Sequence, residues 1–539
     1  MGTCYQPDRS SEQIDRDIAI MKRAGFNVVR MGDLSWDSFE PLRGNFEFEW
    51  FDRIMDKMHA NGIRVILDIP GSPAPIWLHR AYPGVDIVNE NGARLPPAER
   101  YMDDISDPDY VREVGAMAEA LTKRYAHHPA LLAVGYDNEI GNGFMSYSQA
   151  DRQRFISWLK IKYGTIEALN KAWATQRWSR RLNAFEDVDL PLAGGPGPSE
   201  RYLDLHRYWS DVTVARLQEL EATRHRNMAD IPSISNLWDT APRRGFDYLS
   251  TYKSYVSYGA EGFYPGDPIS GALGALMVKG DLPTPIWFNE FTAGGGGNYG
   301  TPGRSRTYAY LALIMGAQGI LAWTFNSHSG GEEQALFGLL DHDGSPSWKV
   351  DEFARIASEF RQLSKFGFPR YTHPEVAIAY SFDSFINSHP NGPSNTTLQY
   401  FRPSYTDQVQ GAFEPLFRVL SVSLCRVAAC QLPQGKDYPR MRRTEVRPIC
   451  RRRAISALLT PARWSFRTWL AWTPAVMGRP SRLPLCRACA KPARTRSRRM
   501  SRSNSANTAN RPAIARPAGV VRSRASVKET KPTPRWFSS

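Results

Sequence analysis

Eight short β-rich runs recur along the first part of the chain, and stretches with helical periodicity separate them. Strands that alternate with helices in this way are typical of βα units around a parallel sheet. Eight units within about 320 residues predict an α/β fold of the (β/α)8 TIM barrel type, with long loops after the strands. An open doubly wound sheet is the alternative, but no G-x-G-x-x-G motif follows the first run, so a dinucleotide site is not indicated. The runs cover residues 2–5, 27–31, 64–69, 131–137, 232–238, 259–265, 285–290 and 319–325.

The stretch 10–25 shows how the helical segments are recognised. Ser10 and Gln13 have the spacing of a capping box, and apolar residues follow at helical intervals. Gly25 then stands where the end of a helix favours a left-handed residue. We therefore expect a helix between Ser10 and Gly25.

Two of the eight runs end in carboxylates. The fourth leads into Asp137-Asn138-Glu139, and the seventh ends at Asn289-Glu290. In a TIM barrel the carboxyl ends of the strands form one face, and catalytic groups lie there. Two carboxylates at that face suit glycosidic bond cleavage, in which one group protonates the leaving oxygen and the other attacks or activates water. A retaining pair would lie about 5–5.5 Å apart. A polar turn is the alternative for either run end.

Six blocks of sequence, among them HHPALLAVGYDNEIG (127–141) and WFNEF (287–291), carry a family resemblance. Together they resemble glycoside hydrolase family 42, the β-galactosidases, over roughly residues 2–420. The resemblance implies a retaining exo-β-glycosidase that acts on a carbohydrate substrate and needs no cofactor. The other blocks are residues 22–56, 71–83, 162–173 and 330–344.

The resemblance also implies a role for individual residues. Glu139 is implied as the acid/base and Glu290 as the nucleophile of a double displacement that retains configuration. Asn138 is implied to bond the sugar hydroxyl next to the anomeric carbon. Arg30 is implied to keep the nucleophile ionised through its opposite charge, and a purely structural ion pair is the alternative for it. Two further residues match substrate contacts of the family, namely Tyr264 and Glu333.

Four tryptophans could supply a stacking platform for the sugar, because an aromatic ring covers the apolar face of a sugar. Core packing is the alternative for each of them. Trp323 ends the eighth run at the predicted mouth of the barrel, so we include it among the predicted substrate-binding residues. The other three are Trp36, Trp77 and Trp287.

Three departures from the family pattern bear on specificity and metal binding. Leu336 stands where members have a histidine that contacts the sugar, and the glycine-rich stretch 292–300 replaces a tryptophan. The loop 141–151 lacks the cysteine cluster that holds zinc in many members, so we expect no metal. Galactose is the favoured sugar, while fucose, arabinopyranose, xylose and glucose remain open. A catalytically silent carbohydrate-binding barrel is a further alternative.

Charge divides the chain near residue 420. Residues 421–539 contain 27 Lys and Arg but 3 Asp and Glu, which leaves 41 basic and 51 acidic residues in the part before them. Five of the six cysteines also lie after residue 420, and the single Cys4 before it fits a reducing compartment. The formal net charge of +14 is therefore a property of the tail, and the front part predicts an ordinary, mildly acidic globular protein.

Three segments follow from these patterns. We expect a (β/α)8 glycosidase catalytic domain over 1–371, the start of a trimerisation-type α/β domain over 372–420, and an unstructured Arg-rich tail over 421–539. Family members form homotrimers through the second domain, and the departure after residue 420 argues against such a trimer here. The tail lacks interleaved aromatic residues and any known nucleic-acid module, so nucleic-acid binding is not expected. Its composition is typical of a GC-rich coding region read in a shifted frame.

Targeting signals are not indicated by the sequence. No window approaches 18 consecutive apolar residues, so no membrane partner is expected. The N-terminus has neither a basic n-region nor an apolar h-region, and it opens almost directly on the first β-rich run, as a truncated start would. These features predict a cytoplasmic protein.

Overall fold

Parallel strands form the central sheet of the computed structural model, which describes residues 1–7, 10–97, 102–140, 145–192, 199–236, 247, 251–279, 286–293, 301–328, 330, 333–334, 337–367, 376–388 and 427–431. The strands are β1 (Gly2–Cys4), β2 (Val28–Met31), β3 (Arg64–Ile69), β4 (Leu131–Tyr136), β5 (Gly259–Phe263), β6 (Ile286–Thr292) and β7 (Ala317–Trp323). Their order in the sheet is β4-β3-β2-β1-β7-β6-β5. Each neighbouring pair is parallel, as βα units require.

Residues 232–236 occupy the eighth position of the ring, between β4 and β5. Ser233 forms a parallel bridge with Val134 of β4, and Ile234 forms one with Tyr258 beside β5. The N–H of Ile234 donates to the Val134 carbonyl at 2.8 Å. These isolated bridges close the curled sheet, which confirms the predicted barrel. The sequence predicted a full strand over 232–238, whereas the structure has single bridges up to residue 236, and 237–238 lie outside the described residues.

Helices follow the strands and cover the outside of the sheet. The helix α1 begins after Ser10, whose side chain accepts a hydrogen bond from the Gln13 N–H, and ends at Gly25 with φ of 75°, as predicted. The helices are α1 (Ser11–Ala24), α2 (Trp36–Phe39), α3 (Glu49–Ala60), α4 (Ile76–Ala81), α5 (Pro108–Tyr125), α6 (Gln149–Tyr163), α7 (Ile166–Ala172), α8 (Ser199–Asn227), α9 (Pro268–Lys279), α10 (Arg304–Ile314), α11 (Trp348–Leu363) and α12 (Phe382–Ser388). No helix in this part of the chain is long and apolar enough to cross a lipid bilayer.

Two apolar layers hold the barrel together. The outer layer lies between the helices and the sheet, and the inner one fills the barrel. Trp287 belongs to the inner layer, and a Cβ atom on Gly319 would lie 1.9 Å from its indole ring. The absent side chain at Gly319 therefore makes room for Trp287, whose environment is that of core packing. Inner residues are Cys4, Val28, Ile66, Ala133, Ile234, Ala260, Leu321 and Trp323.

A second, two-stranded sheet follows the barrel. Strand β8 (Val376–Tyr380) pairs in parallel with β9 (Val427–Gln431), and Val376 lies opposite Val427. The sequence predicted the start of an α/β domain over 372–420, and the described part of that range has β8 followed by the helix α12. The predicted domain bounds at 371 and 420 stay predictions, because residues 389–426 and 432–539 lie outside the described residues.

Candidate active site

The fourth strand end carries a carboxylate in an unusual backbone conformation. Glu139 lies three residues beyond β4 and is 2% exposed. Both Asp137 and Glu139 have left-handed backbones, with φ of 56° and 52°. Such a conformation costs an L-residue about 1–2 kcal/mol, so neighbouring contacts must hold it. One of these contacts is the N–H of Glu139, which donates to the Asn236 carbonyl at 3.0 Å.

The second carboxylate, Glu290, lies within β6 and is also 2% exposed. Its Oε1 accepts hydrogen bonds from Arg30 Nη1 at 3.0 Å and from Asn236 Nδ2 at 2.6 Å. Its Oε2 accepts from the Tyr264 hydroxyl at 2.9 Å. Three donors on one carboxylate stabilise its negative charge. The structure thus places Arg30 and Tyr264 in contact with Glu290. Asn236, which the sequence analysis did not single out, also contacts this carboxylate.

Arg30, on β2, is a buried junction between the two strand ends. Its Nη2 donates to Asn138 Oδ1 at 2.9 Å, while its Nη1 contacts Glu290. A third nitrogen, Nε, donates to the Asp68 carboxylate. Burial alone would lower the pKa of Arg30, but the negative charges of Asp33 and Asp68 outweigh burial and raise that pKa well above its usual value. Arg30 therefore acts as a permanent cation beneath the barrel mouth.

Two further aspartates surround this cation. Asp33 Oδ2 lies 3.4 Å from Arg30 Nη1, and both Asp33 oxygens are buried without a hydrogen-bond partner among the described residues. Burial raises the pKa of Asp68, while the opposing charge of Arg30 lowers it. Arg30 is thus a cation shared by three buried carboxylates, those of Asp33, Asp68 and Glu290.

Tyr264 stands between the two candidate carboxylates. Its hydroxyl donates to Glu290, and a Cβ atom on neighbouring Gly262 would lie 3.7 Å from Glu139 Oε1. Burial, followed by the negative charges of Glu290 and Glu139, raises the pKa of Tyr264 well above its usual value. The phenol therefore keeps its proton at neutral pH and donates to Glu290.

Asn236 contacts both candidate catalytic residues, Glu139 and Glu290. Its side-chain Nδ2 donates to Glu290 Oε1 and to Asn138 Oδ1, the latter at 3.1 Å, and its carbonyl accepts from the Glu139 N–H. Asn236 and Asn138 also form a parallel bridge. The sequence did contain a signal for it, because Asn236 and Asn289 both lie near the ends of β-rich runs and Asn138 directly follows another.

Trp323 and Glu333 form a pair at the end of β7. The indole Nε1 of Trp323 donates to Glu333 Oε2 at 2.9 Å. Trp323 is 2% exposed and packs with the inner layer, whereas Glu333 is half-buried. The pair lies on the barrel mouth, and its contact with sugar stays a prediction. Leu336 and the greater part of the glycine-rich stretch lie outside the described residues.

Across the residues that the structure describes, no group of three or more His, Cys, Asp or Glu side chains is arranged to hold a metal ion. Residues 141–144, which follow Ile140 in the sequence, lie outside the described residues. The chemistry available here is that of carboxylates, amides, a phenol and a guanidinium. A stabilised carboxylate beside a second carboxyl group suits the cleavage of glycosidic bonds.

Comparison with known proteins agrees with this geometry. The model of glycoside hydrolase family 42, described as β-galactosidase, matches residues 4–363. The β-galactosidase BgaA of Clostridium cellulovorans is 27% identical over 399 residues, which are 71% of this chain and 60% of that protein. The β-galactosidase LacZ of Heyndrickxia coagulans is 29% identical over 419 residues, 74% of this chain and 62% of that protein. The chain thus spans about three fifths of the length of these relatives.

A solved structure extends the comparison to the fold. The β-galactosidase of the Antarctic haloarchaeon Halorubrum lacusprofundi superimposes with a TM-score of 0.72 at 25% identity, over 81% of this chain and 67% of that one. The family match covers about two thirds of the chain, from β1 to the end of α11. The chain belongs to glycoside hydrolase family 42.

Proposed function

We propose that this protein is a retaining exo-β-galactosidase, which removes terminal β-D-galactosyl residues from the non-reducing ends of carbohydrates. The observation that carries the proposal is the link through Asn236, which touches the backbone of Glu139 and the carboxylate of Glu290. Family membership supports the reaction class, and the names of the relatives, all β-galactosidases, favour galactose over the other sugars.

In the first step Glu290 attacks the anomeric carbon while Glu139 protonates the departing oxygen. The bond from Glu290 to the sugar consumes the negative charge that Arg30, Asn236 and Tyr264 stabilise. These donors therefore lower the nucleophilicity of the Glu290 carboxylate. They also assist the second step, because they stabilise the carboxylate when it leaves again.

In the second step Glu139, now ionised, removes a proton from a water molecule that attacks the anomeric carbon from the side of the departed group. The bond to Glu290 breaks, and two inversions at the same carbon retain the β configuration. Glu139 thus changes its protonation state twice in each turnover. Glu290 alternates between a free carboxylate and an ester.

Asn138 is proposed to recognise the sugar hydroxyl next to the anomeric carbon. Its Oδ1 accepts from Arg30 and Asn236, which fixes which end of the amide is the oxygen. Nδ2 is then the atom that would donate to the hydroxyl. The pair formed by Trp323 and Glu333 is proposed to contact the sugar at the end of β7.

The test is hydrolysis of 4-nitrophenyl β-D-galactopyranoside by the full chain and by Glu290→Gln. Loss of the nucleophile is expected to lower kcat by about 10⁴-fold. Glu359→Gln is a matched control, because Glu359 on α11 also accepts from arginine and tyrosine side chains, namely Arg306 and Tyr310. Equal rates from the chain and Glu290→Gln would refute the assignment. Proton NMR of the first product should show the β anomer, and an α product would exclude retention.

Oligomeric state and cellular location stay predictions. A homotrimer of the family type would form through the second domain, and sedimentation of the full chain would measure it. A cytoplasmic location is expected from the sequence, and Cys4, the single cysteine before residue 421, is a buried free thiol that fits the same reducing environment. We propose that this chain alone is catalytically active, because the barrel contains every residue to which a role is assigned.

A further inference from the structure

Asp137 has no part in the proposed reaction, although it precedes Asn138 and Glu139 directly. Its side chain lines a cavity of about 240 Å³ between α5 and α8, together with Tyr110 and Arg216. Tyr136, one residue earlier, also faces α8 and donates to Glu221 there. Successive residues of a strand ordinarily point to opposite sides. The left-handed backbone at Asp137 breaks this alternation and turns the carboxylate toward the helices, away from the mouth.

The Asp137 carboxylate is an acceptor for backbone groups of two different strand ends. Its Oδ1 accepts from the N–H of Ser72 at 2.9 Å and from the N–H of Asn138 at 2.7 Å. The N–H of Gly71 also bonds this carboxylate. A Cβ atom on Gly71 would lie 2.6 Å from Asp137 Oδ2, so the close approach requires glycine there. One buried carboxylate thus joins the segment after β3 to the segment after β4.

These contacts bear on the conformation of the next two residues. Aspartate tolerates a left-handed backbone through local hydrogen bonds, whereas glutamate has no such preference. The conformation of Glu139 is therefore imposed from outside. Two consecutive backbone groups are held there: the Glu139 N–H donates to the Asn236 carbonyl, and the Asn138 N–H donates to the Asp137 carboxylate.

We propose that Asp137 is a positioning residue, whose carboxylate holds the backbone at Asn138 and Glu139 in the conformation that directs both side chains into the barrel mouth. The inference rests on the proposed function for the role of Glu139 as acid/base. Asp137 touches no reacting atom in this arrangement. It acts through the backbone, and its loss should impair proton donation more than attack by Glu290.

Three variants separate this role from general support of the fold. Asp137→Ala removes the acceptor, whereas Asp137→Asn keeps an oxygen that can accept from Ser72 and Asn138. Asp103→Asn is the matched control, because Asp103 accepts from the Ser72 hydroxyl and the Ala74 N–H but lies outside the contacts of residues 137–139 described above. Asp103→Asn alters the same loop after β3 but keeps the hydrogen bond between Ser72 and Asp137, which joins this loop to the segment after β4.

The kinetic test compares phenyl β-galactoside, a poor leaving group, with 2,4-dinitrophenyl β-galactoside, which leaves without a proton. Asp137→Ala is expected to lower kcat/KM for the phenyl substrate by about 100-fold and for the activated one by less than about 10-fold. Asp137→Asn should recover most of the loss. Asp103→Asn should affect both substrates by the same factor. Unchanged activity of Asp137→Ala, or equal losses on both substrates, would overturn the inference while the proposed function stands.

A structural measurement keeps the inference testable when no substrate is turned over. A crystal structure of Asp137→Ala should show φ at residue 139 outside the left-handed region, with the strands of the barrel unmoved. An unchanged backbone at 137–139 would overturn the positioning role. If the unaltered chain hydrolyses neither aryl galactoside, the proposed function fails, and the backbone of the variant alone decides the role of Asp137.

Discussion

The two candidate carboxylates stand at the same mouth and are held by different means. Glu290 lies inside a regular strand, and side chains from β2, the 232–236 segment and the end of β5 fix its carboxylate. Glu139 lies beyond its strand, and hydrogen bonds from its own N–H and from the N–H of Asn138 fix the backbone there. A nucleophile needs a stable charge, whereas an acid/base must gain and lose a proton. The two forms of support fit these two demands, and three predictions test the contrast.

Of these three predictions, the largest effect is expected for Glu139→Ala. With phenyl β-galactoside, kcat/KM should fall by about 10³-fold, because the departing phenolate then lacks its proton. With 2,4-dinitrophenyl β-galactoside the first step needs no acid, so the rate of that step should change by less than about 10-fold. Pre-steady-state release of the dinitrophenolate measures this step directly. Equal losses on the two substrates would remove the contrast between the carboxylates.

A smaller effect is expected for Asn236→Ala. The variant loses the side-chain donor to Glu290 Oε1 and to the neutral Asn138 Oδ1, but keeps the carbonyl that accepts from the Glu139 N–H. Loss of one hydrogen bond to a charged group corresponds to about 10- to 100-fold in kcat/KM. Because the side chain acts on the nucleophile, both aryl substrates should lose the same factor. A loss confined to the poor leaving group would place the side chain of Asn236 with the acid instead.

The smallest effect concerns stability and pH. Burial raises the pKa of Asp137 from its ordinary 3.8 to about 7, so between these values the folded protein keeps a proton that the unfolded chain releases. Stability from this group is therefore greatest at low pH and declines as pH rises toward 7. Asp137→Asn removes that decline. Its Tm relative to the unaltered protein should rise by several degrees between pH 4.5 and pH 8. A constant difference across this range would contradict the shift.

Much of this site could be predicted because its signals are local. The strand ends at Asp137-Asn138-Glu139 and at Glu290 follow apolar runs, and the caps of α1 are short-range patterns. The role of Asn236 was harder to predict, because an asparagine near the end of a β-rich run is also common in turns. The left-handed conformations at 137 and 139 could not be predicted either, because contacts with distant segments impose them on residues that do not favour them.

Two tryptophans, Trp287 and Trp323, show the same limit of prediction from local sequence. Trp287 and Trp323 have similar sequence surroundings, at the start and the end of β-rich runs, and both could have faced a sugar. Trp287 fills the space left by Gly319 inside the barrel, whereas Trp323 reaches Glu333 at the mouth. Only the register between β6 and β7, which places Trp287 opposite Gly319, distinguishes them. That register is a property of the assembled sheet.

The barrel is closed at residues 232–236 by isolated bridges rather than by a regular strand. Asn236 lies at this closure and contacts Glu139 through its carbonyl and Glu290 through its side-chain amide. A shift of this one segment would therefore displace supports of both carboxylates at once. We expect insertions or substitutions near residue 236 to alter turnover even where Glu139 and Glu290 themselves are unchanged.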